Sequence, residues 1–252
     1  MLIERKAMNL KNLKRSAAVV CIASWLTGCG SESATIMGLQ SDDGTGDTGL
    51  SQAATEATYR ATFSASWSAE THPINFPGNP HFSPLTGAVH NADQVIWRMG
   101  DPAGPGIAEL AESGGTDILL SELQVAMNES GVLSAIIGAG IDLSPGGTSV
   151  EFVVNRDYPY ITLVSMLAPS PDWFVGVDSL EMFSADTDEF VESLIIDLNV
   201  YDAGSDSGVR YESPDLDTQP LDPISLVNSF PTDSDFFEGQ PSIGELFIER
   251  IR

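Results

Sequence analysis

Short segments in which apolar and polar residues alternate constrain the fold of this chain more than any other feature. Turn-rich stretches join these segments. In the first segment, Tyr59, Phe63 and Trp67 alternate with polar residues, so one face of an extended strand is apolar. The pattern predicts further strands at residues 94–98, 150–154, 160–167, 193–200 and 243–251. Many short strands with few long helices indicate a mainly β fold, an antiparallel β-sandwich.

Two segments have helical character within this β pattern. Residues 106–113 place Ile107, Leu110 and Ala111 on one face, which predicts a short helix in a connecting loop. Residues 118–137 are ambiguous, because their leucines have helical spacing while Gly131 interrupts the pattern.

The N-terminus predicts an export signal at residues 1–28. Lys11, Lys14 and Arg15 form a basic region, and an apolar run at 17–26 follows it. That run is shorter than the roughly 20 residues that span a bilayer. Residues 26–29, Leu-Thr-Gly-Cys, resemble a bacterial lipobox, which implies lipidation of Cys29. The alternative is a plain secretory signal in which the cysteine is incidental.

The composition predicts a tether and one domain after this signal. Residues 29–56 are rich in Gly, Ser, Thr and Asp, which is typical of a flexible linker. Residues 57–252 contain no second linker and are long enough for one domain with a sizeable core. The two cysteines, Cys21 and Cys29, both precede this domain, so it contains no disulfide.

The charge excludes two classes of partner. Five of the 11 Lys+Arg and one of the 36 Asp+Glu lie in residues 1–28, so residues 29–252 keep 6 basic and 35 acidic residues. Such a surface repels nucleic acid and anionic lipid headgroups, and we expect contact with a membrane only through the lipid anchor. Adaptation to a salty medium explains most of this charge without any binding role.

Three aspartates in two turn-rich segments are candidate metal ligands. Asp202 and Asp206 flank Gly204, which allows a sharp turn, and Asp172 follows a proline-rich turn. Carboxylates that converge repel one another unless a cation lies between them, and Ca²⁺ prefers such oxygen ligands. The alternative is that these aspartates only cap turns.

The chain resembles the N-terminal domain of the spondin family over nearly all of residues 57–252. The Ser-Pro-Asp-Trp and Asp-Ala-Gly-Ser-Asp-Ser-Gly segments are the most specific matches. The matching blocks follow the family's order and comprise residues 59–73, 81–90, 106–114, 165–173, 202–208, 212–214 and 241–251.

This resemblance implies a C2-like β-sandwich with Ca²⁺ held by Asp172, Asp202 and Asp206. It also implies a general role in adhesion or surface interaction. Animal members carry disulfides, which this domain lacks, and the thrombospondin-type repeats of F-spondin are absent from residues 57–252.

Other conspicuous residues leave alternatives open. His72, His81 and His90 fit no compact zinc motif, and we expect them to fasten a long loop to the sandwich. Trp173 and Phe174 beside the acidic turn either contact a ligand or anchor the loop in the core.

Taken together, the sequence predicts a non-enzymatic, calcium-binding module that is exported and lipid-anchored to the cell envelope, at the outer membrane or cell surface. Its expected partner is an extracellular or envelope protein or a glycan. A calcium-dependent hydrolase is an alternative, but the sequence has no Gly-x-Ser-x-Gly elbow. A purely structural envelope lipoprotein is the other alternative.

Overall fold

The computed structural model describes residues 54–227, 235 and 240–252 of the chain. The predicted signal at 1–28 and Cys29 lie outside the described residues, as does most of the tether. The described part contains two helices, α1 (Pro105–Ser113) and α2 (Asp117–Asn128). Its strands are β1 (Glu56–Ala65), β2 (His81–Phe82), β3 (Thr86–His90), β4 (Val132–Ile137), β5 (Gly146–Asn155), β6 (Tyr160–Ala168), β7 (Trp173–Glu181), β8 (Phe183–Ser184), β9 (Glu189–Phe190), β10 (Ser193–Leu198), β11 (Val200–Asp202), β12 (Ser225–Leu226) and β13 (Gly244–Arg250).

Two antiparallel sheets form the predicted β-sandwich, and the fold class is thereby confirmed. Within the described residues, the smaller sheet has the strand order β10-β13-β1-β5. The larger sheet has the order β12-β11-β7-β6-β3-β4, with β2 added beside β6. Strand β7 thus lies between β6 and β11. Because Trp173 at the start of β7 pairs with Asp202 at the end of β11, the two segments that contain the candidate aspartates lie side by side.

The core between the sheets follows from the alternation of β1. Tyr59, Ala61 and Phe63 have no exposed surface, whereas Arg60 on the opposite face pairs with glutamates of β5 and β13. Each buried aromatic or branched side chain contributes about 1.5–3 kcal/mol to folding. The predicted first strand is therefore confirmed, and it begins at Glu56, slightly before the expected domain boundary.

A second core lies on the outer face of the larger sheet, where both helices pack. Ile107 and Leu110 of α1 and Leu119 of α2 contact sheet residues that include Val164 and Phe174. Because helices cover one face and the smaller sheet covers the other, β6 is buried from Ile161 to Ala168. The predicted helix at 106–113 is thus part of a packed layer, and it ends at Gly114, whose φ of 73° is left-handed.

Two strand assignments from the sequence need correction, and one ambiguous segment is resolved. Residues 94–98 form no strand, because the Asn91 side chain accepts backbone hydrogen bonds from Asp93 and Gln94 and turns the chain. The ambiguous segment 118–137 divides into helix α2 and strand β4. The single strand predicted at 193–200 is two, because β10 joins the smaller sheet and β11 joins the larger one.

In the described part of the chain, helices of 9 and 12 residues fall short of what a membrane crossing requires.

Gly87 in β3 gives a test of the packing between strands. A Cβ at this position would lie 1.8 Å from the Thr162 carbonyl oxygen of β6, so the strand backbone would have to move. We expect Gly87→Ala to lower the free energy of unfolding by about 3 kcal/mol in urea denaturation. The control is Gly78→Ala, whose added methyl meets nothing within 4 Å and should change stability little. Equal stability of the two variants would contradict this packing.

Candidate metal centre

Asp172 joins the two acidic loops. It follows β6 and precedes β7, its side chain has no exposed surface, and its Oδ2 accepts hydrogen bonds from the backbone N–H groups of Ser205 (2.8 Å) and Asp206 (3.0 Å). The Asp172 carbonyl also accepts a hydrogen bond from the Ala203 N–H at 3.0 Å. The carboxylate therefore positions the loop that follows β11 against the loop that precedes β7.

Asp202 lies at the end of β11, directly opposite Trp173 in the register of the larger sheet. Its Oδ1 accepts the backbone N–H of Gly204 at 2.8 Å. Gly204 has a φ of 72°, and a Cβ there would lie 2.1 Å from the Asp222 carbonyl oxygen. The predicted sharp turn at Gly204 is confirmed.

Asp206 is 5% exposed and caps its own loop with both carboxylate oxygens. Oδ1 accepts the N–H of Gly208 and Oδ2 accepts the N–H of Leu216, each at 2.6 Å. The turn-capping role that the sequence left open is therefore real for Asp206 and for one oxygen of Asp202. It does not exclude a metal, because each carboxylate oxygen has two lone pairs.

The loops concentrate negative charge where water is scarce. Burial raises the pKa of Asp172 to about 7, and the charge of Asp202 adds to this increase, while the N–H donors of Asp206 and Ser205 oppose it. Burial also raises the pKa of Asp202, with further contributions from the charges of Asp222 and Asp206. A proton or a cation is needed to relieve this repulsion.

One buried oxygen in the cluster is unsatisfied. Asp172 Oδ1 has no hydrogen-bond partner among the described residues, although buried polar atoms are rarely left without one. Across residues 54–227, 235 and 240–252, however, no three acidic, histidine or cysteine side chains are grouped closely enough to hold an ion by themselves. An ion here would require backbone carbonyls and water as additional ligands.

A polar cavity of about 280 Å³ opens onto Asp206. Ser170 and Pro171 line it from the loop before β7, and Ser213 and Asp215 line it from the segment that follows Asp206. Glu112, near the end of α1, contributes a further carboxylate. Small cations and water can reach the loops through this opening.

The two aromatics beside Asp172 anchor the loop in the core. Trp173 is 1% exposed and packs edge-on against Tyr211, and Phe174 has no exposed surface and stacks on Tyr201. Of the two options that the sequence left open, the structure selects the core role. The other option, that these rings contact an external ligand, is wrong, because almost none of their surface is exposed.

The three histidines occupy different places and have hydrogen-bond partners within the chain. His90 lies in β3 and contacts the Asn91 carbonyl (2.8 Å) and Thr162 Oγ1 of β6 (2.9 Å). His72 contacts Thr71 Oγ1 at 2.9 Å, and His81 contacts the Asn79 carbonyl at 2.8 Å. Burial lowers the pKa of His72 and of His90, so both rings are neutral at physiological pH.

Sequence reasoning did not identify Asp222, whose charge raises the pKa of Asp202. Its backbone N–H donates to the Gly204 carbonyl at 2.8 Å, which brings this distant residue to the turn. No local pattern in the sequence links residue 222 to the acidic loops.

The fold and these loops define a class: a two-sheet antiparallel β-sandwich with a buried acidic loop cluster at the ends of β6, β7 and β11. The family model Spondin_N matches residues 57–242. The chain belongs to the spondin N-terminal domain family, as the resemblance implied.

Individual spondins show the same similarity. Spondin-2 of Homo sapiens is 33% identical over 207 residues, which cover 78% of this chain and 62% of that protein. Spondin-1 of Gallus gallus is 32% identical over 210 residues, and Spondin-1 of Xenopus laevis is 33% identical over 209; each match covers 77% of this chain and 25% of the relative. The chain therefore spans less than two thirds of the length of these relatives.

The raised pKa of Asp172 predicts a specific pH dependence in EDTA. Because the pKa is about 7 in the folded protein and near 4 in the unfolded chain, this group favours folding below pH 4, and its contribution is lost as the pH rises to 7. The slope is at most about 1.4 kcal/mol per pH unit.

We expect Asp172→Asn to remove this slope, so that the variant is more stable than the wild type at pH 8 and nearly equal at pH 4.5. Urea denaturation across this range measures the difference. Asp186→Asn, which neutralises an exposed carboxylate elsewhere, is the control and should leave the difference from the wild type small at both pH values. A variant that is less stable than the wild type at pH 8 in EDTA would contradict the burial of an ionised Asp172.

Proposed function

We propose that this chain is a calcium-binding recognition module of an exported, lipid-anchored envelope protein, without catalytic activity. The observation that carries the metal assignment is the buried, unpartnered Oδ1 of Asp172 beside Asp202 and Asp206. A hydrogen-bond acceptor of this kind, with a raised pKa caused by burial and by neighbouring carboxylates, is what bound Ca²⁺ would neutralise. Membership of the spondin N-terminal domain family supports a role in adhesion or surface interaction.

In this proposal, Asp172, Asp202 and Asp206 hold the ion, and backbone carbonyls and water complete its six to eight oxygen ligands. The ion supplies positive charge to the cluster and links the loop before β7 to the loop after β11. The hydrogen bonds of Asp172 to Ser205 and Asp206 already orient these loops, so little rearrangement is required. The loops and the adjoining sheet face then present a fixed surface to a partner.

Calcium titration tests the metal assignment. After EDTA treatment, graded Ca²⁺ should raise the unfolding temperature of the purified protein, with about 2.7 kcal/mol of stabilisation at 100 times the dissociation constant. Asp202→Ala should abolish this rise. Asp206→Ala should also lower the stability of the metal-free protein, because the N–H groups of Gly208 and Leu216 lose their acceptor.

Asp178→Ala is the matched control, since it removes an aspartate of β7 that we do not assign to the ion. Its response to Ca²⁺ should equal that of the wild type. An equal rise with Mg²⁺, or a Ca²⁺ response that survives in Asp172→Ala, Asp202→Ala and Asp206→Ala alike, would refute the assignment.

Lipid anchoring is tested separately at Cys29, which lies outside the described residues. On expression in a bacterial host, the wild-type protein should sediment with membranes, and Cys29→Ser should move it to the soluble fraction. Cys21→Ser, in the predicted signal, is the control and should leave the membrane fraction unchanged. Membrane association that persists in Cys29→Ser would exclude this lipid anchor.

A further inference from the structure

A groove of about 380 Å³ lies between β7 and β11 of the larger sheet, β10 of the smaller sheet and the segment before α1. Its apolar lining includes Met99, Val177, Leu180 and Ile196, and Met99 is 55% exposed. The aromatic rings of Trp97 and Tyr201 line the same groove with centroids 4.9 Å apart. We call it the β7–β11 groove.

Two carboxylates lie on the wall of this groove. Asp178 belongs to β7 and Asp197 belongs to β10. Asp178 pairs with Arg98, whose Nε lies 4.0 Å from Asp178 Oδ2 and whose side chain is 54% exposed. Asp197 forms no ion pair within the described residues. The groove therefore combines an apolar lining with negative charge that is only partly balanced.

The groove also contains a buried donor without a partner. Trp97 is 4% exposed, and its indole Nε1–H has no hydrogen-bond partner among the described residues. Because the Trp97 N–H is itself buried, an occupant of the groove contacts the ring and does not reach this donor.

We propose that the β7–β11 groove binds a basic segment of a partner protein. An arginine or lysine side chain lays its aliphatic stem along Met99, Leu180 and Ile196 and directs its cationic head to Asp178 and Asp197. This inference rests on the proposed recognition function and assigns the chemical class of its partner.

Charge complementarity favours this occupant over the others. The chain carries a formal charge of −25, so its field attracts basic surfaces and repels anionic ones. No lysine occurs after Lys14, so a second copy of the chain supplies few cations. A neutral sugar usually stacks on an exposed ring face, and Trp97, the larger ring of the groove, is almost fully buried.

Titration of the purified, isotope-labelled protein by two-dimensional NMR tests the groove, in calcium and in EDTA. The probes are N-acetyl-arginine methylamide, its lysine counterpart, the isosteric neutral citrulline derivative and methyl β-glucoside. We expect saturable shifts of the Trp97 indole signal and of the Asp178 and Asn199 amides with the arginine or lysine probe, weakening as salt is added. The citrulline probe should cause none.

Asp178→Asn combined with Asp197→Asn should weaken binding about tenfold or more. The control, Asp142→Asn combined with Asp157→Asn, changes the net charge equally at exposed positions elsewhere and should bind as the wild type does. Arg98→Ala should strengthen binding, because it removes a competing cation, whereas Arg210→Ala should not.

Three results would overturn the proposal: no saturable shift with either cationic probe, equal weakening by both paired variants, or saturable binding of the glucoside in the groove. Because the calcium titration is read from stability and not from this groove, failure of the groove leaves the calcium assignment intact. If the groove binds the cationic probes but Ca²⁺ does not change the unfolding temperature, the calcium assignment fails and the groove proposal stands.

Discussion

The placement of one ionisable group, Asp172, between two loops is the constraint on which the site depends. Its Oδ2 orders the loop after β11 through two backbone N–H groups, while its Oδ1 remains without a partner in the described structure. A neutral side chain could make some of the same hydrogen bonds without the cost of burying a charge. Loop closure alone therefore does not explain a carboxylate at this position, which either binds a proton or receives the cation that we propose.

The sequence predicted the strands that carry a regular alternating or continuous apolar pattern and missed others, among them β7. Strand β1 alternates because only one of its faces meets the core, and β6 is a continuous apolar run because both faces are covered. In β7, Gly176 and Asp178 resembled turn residues. Gly176 is required there because a Cβ would lie 2.2 Å from the Leu163 carbonyl oxygen of β6, a contact that no local pattern reveals.

The candidate site likewise has one part that the sequence predicts and one part that only the fold reveals. The turn at Gly204 was predictable, because a glycine between two aspartates has a local conformational meaning. The roles of the individual oxygens were not, because Asp206 binds the N–H of Leu216, ten residues away, and Asp202 is influenced by Asp222. The family resemblance supplied which aspartates to consider, and only the fold distinguishes the capped oxygens from the unpartnered one.

The proposed calcium ligands and the β7–β11 groove share the same two strands. Tyr201, which lines the groove, immediately precedes Asp202 in β11, and it stacks on Phe174, two residues after Asp172. An ion held by Asp172 and Asp202 would tie the start of β7 to the end of β11, and the Phe174–Tyr201 pair would be fixed with them. A strand of only three residues such as β11 makes few hydrogen bonds of its own, although it pairs with β12 on one side and β7 on the other. Calcium would then act on recognition indirectly, by holding one wall of the groove in place before the partner arrives.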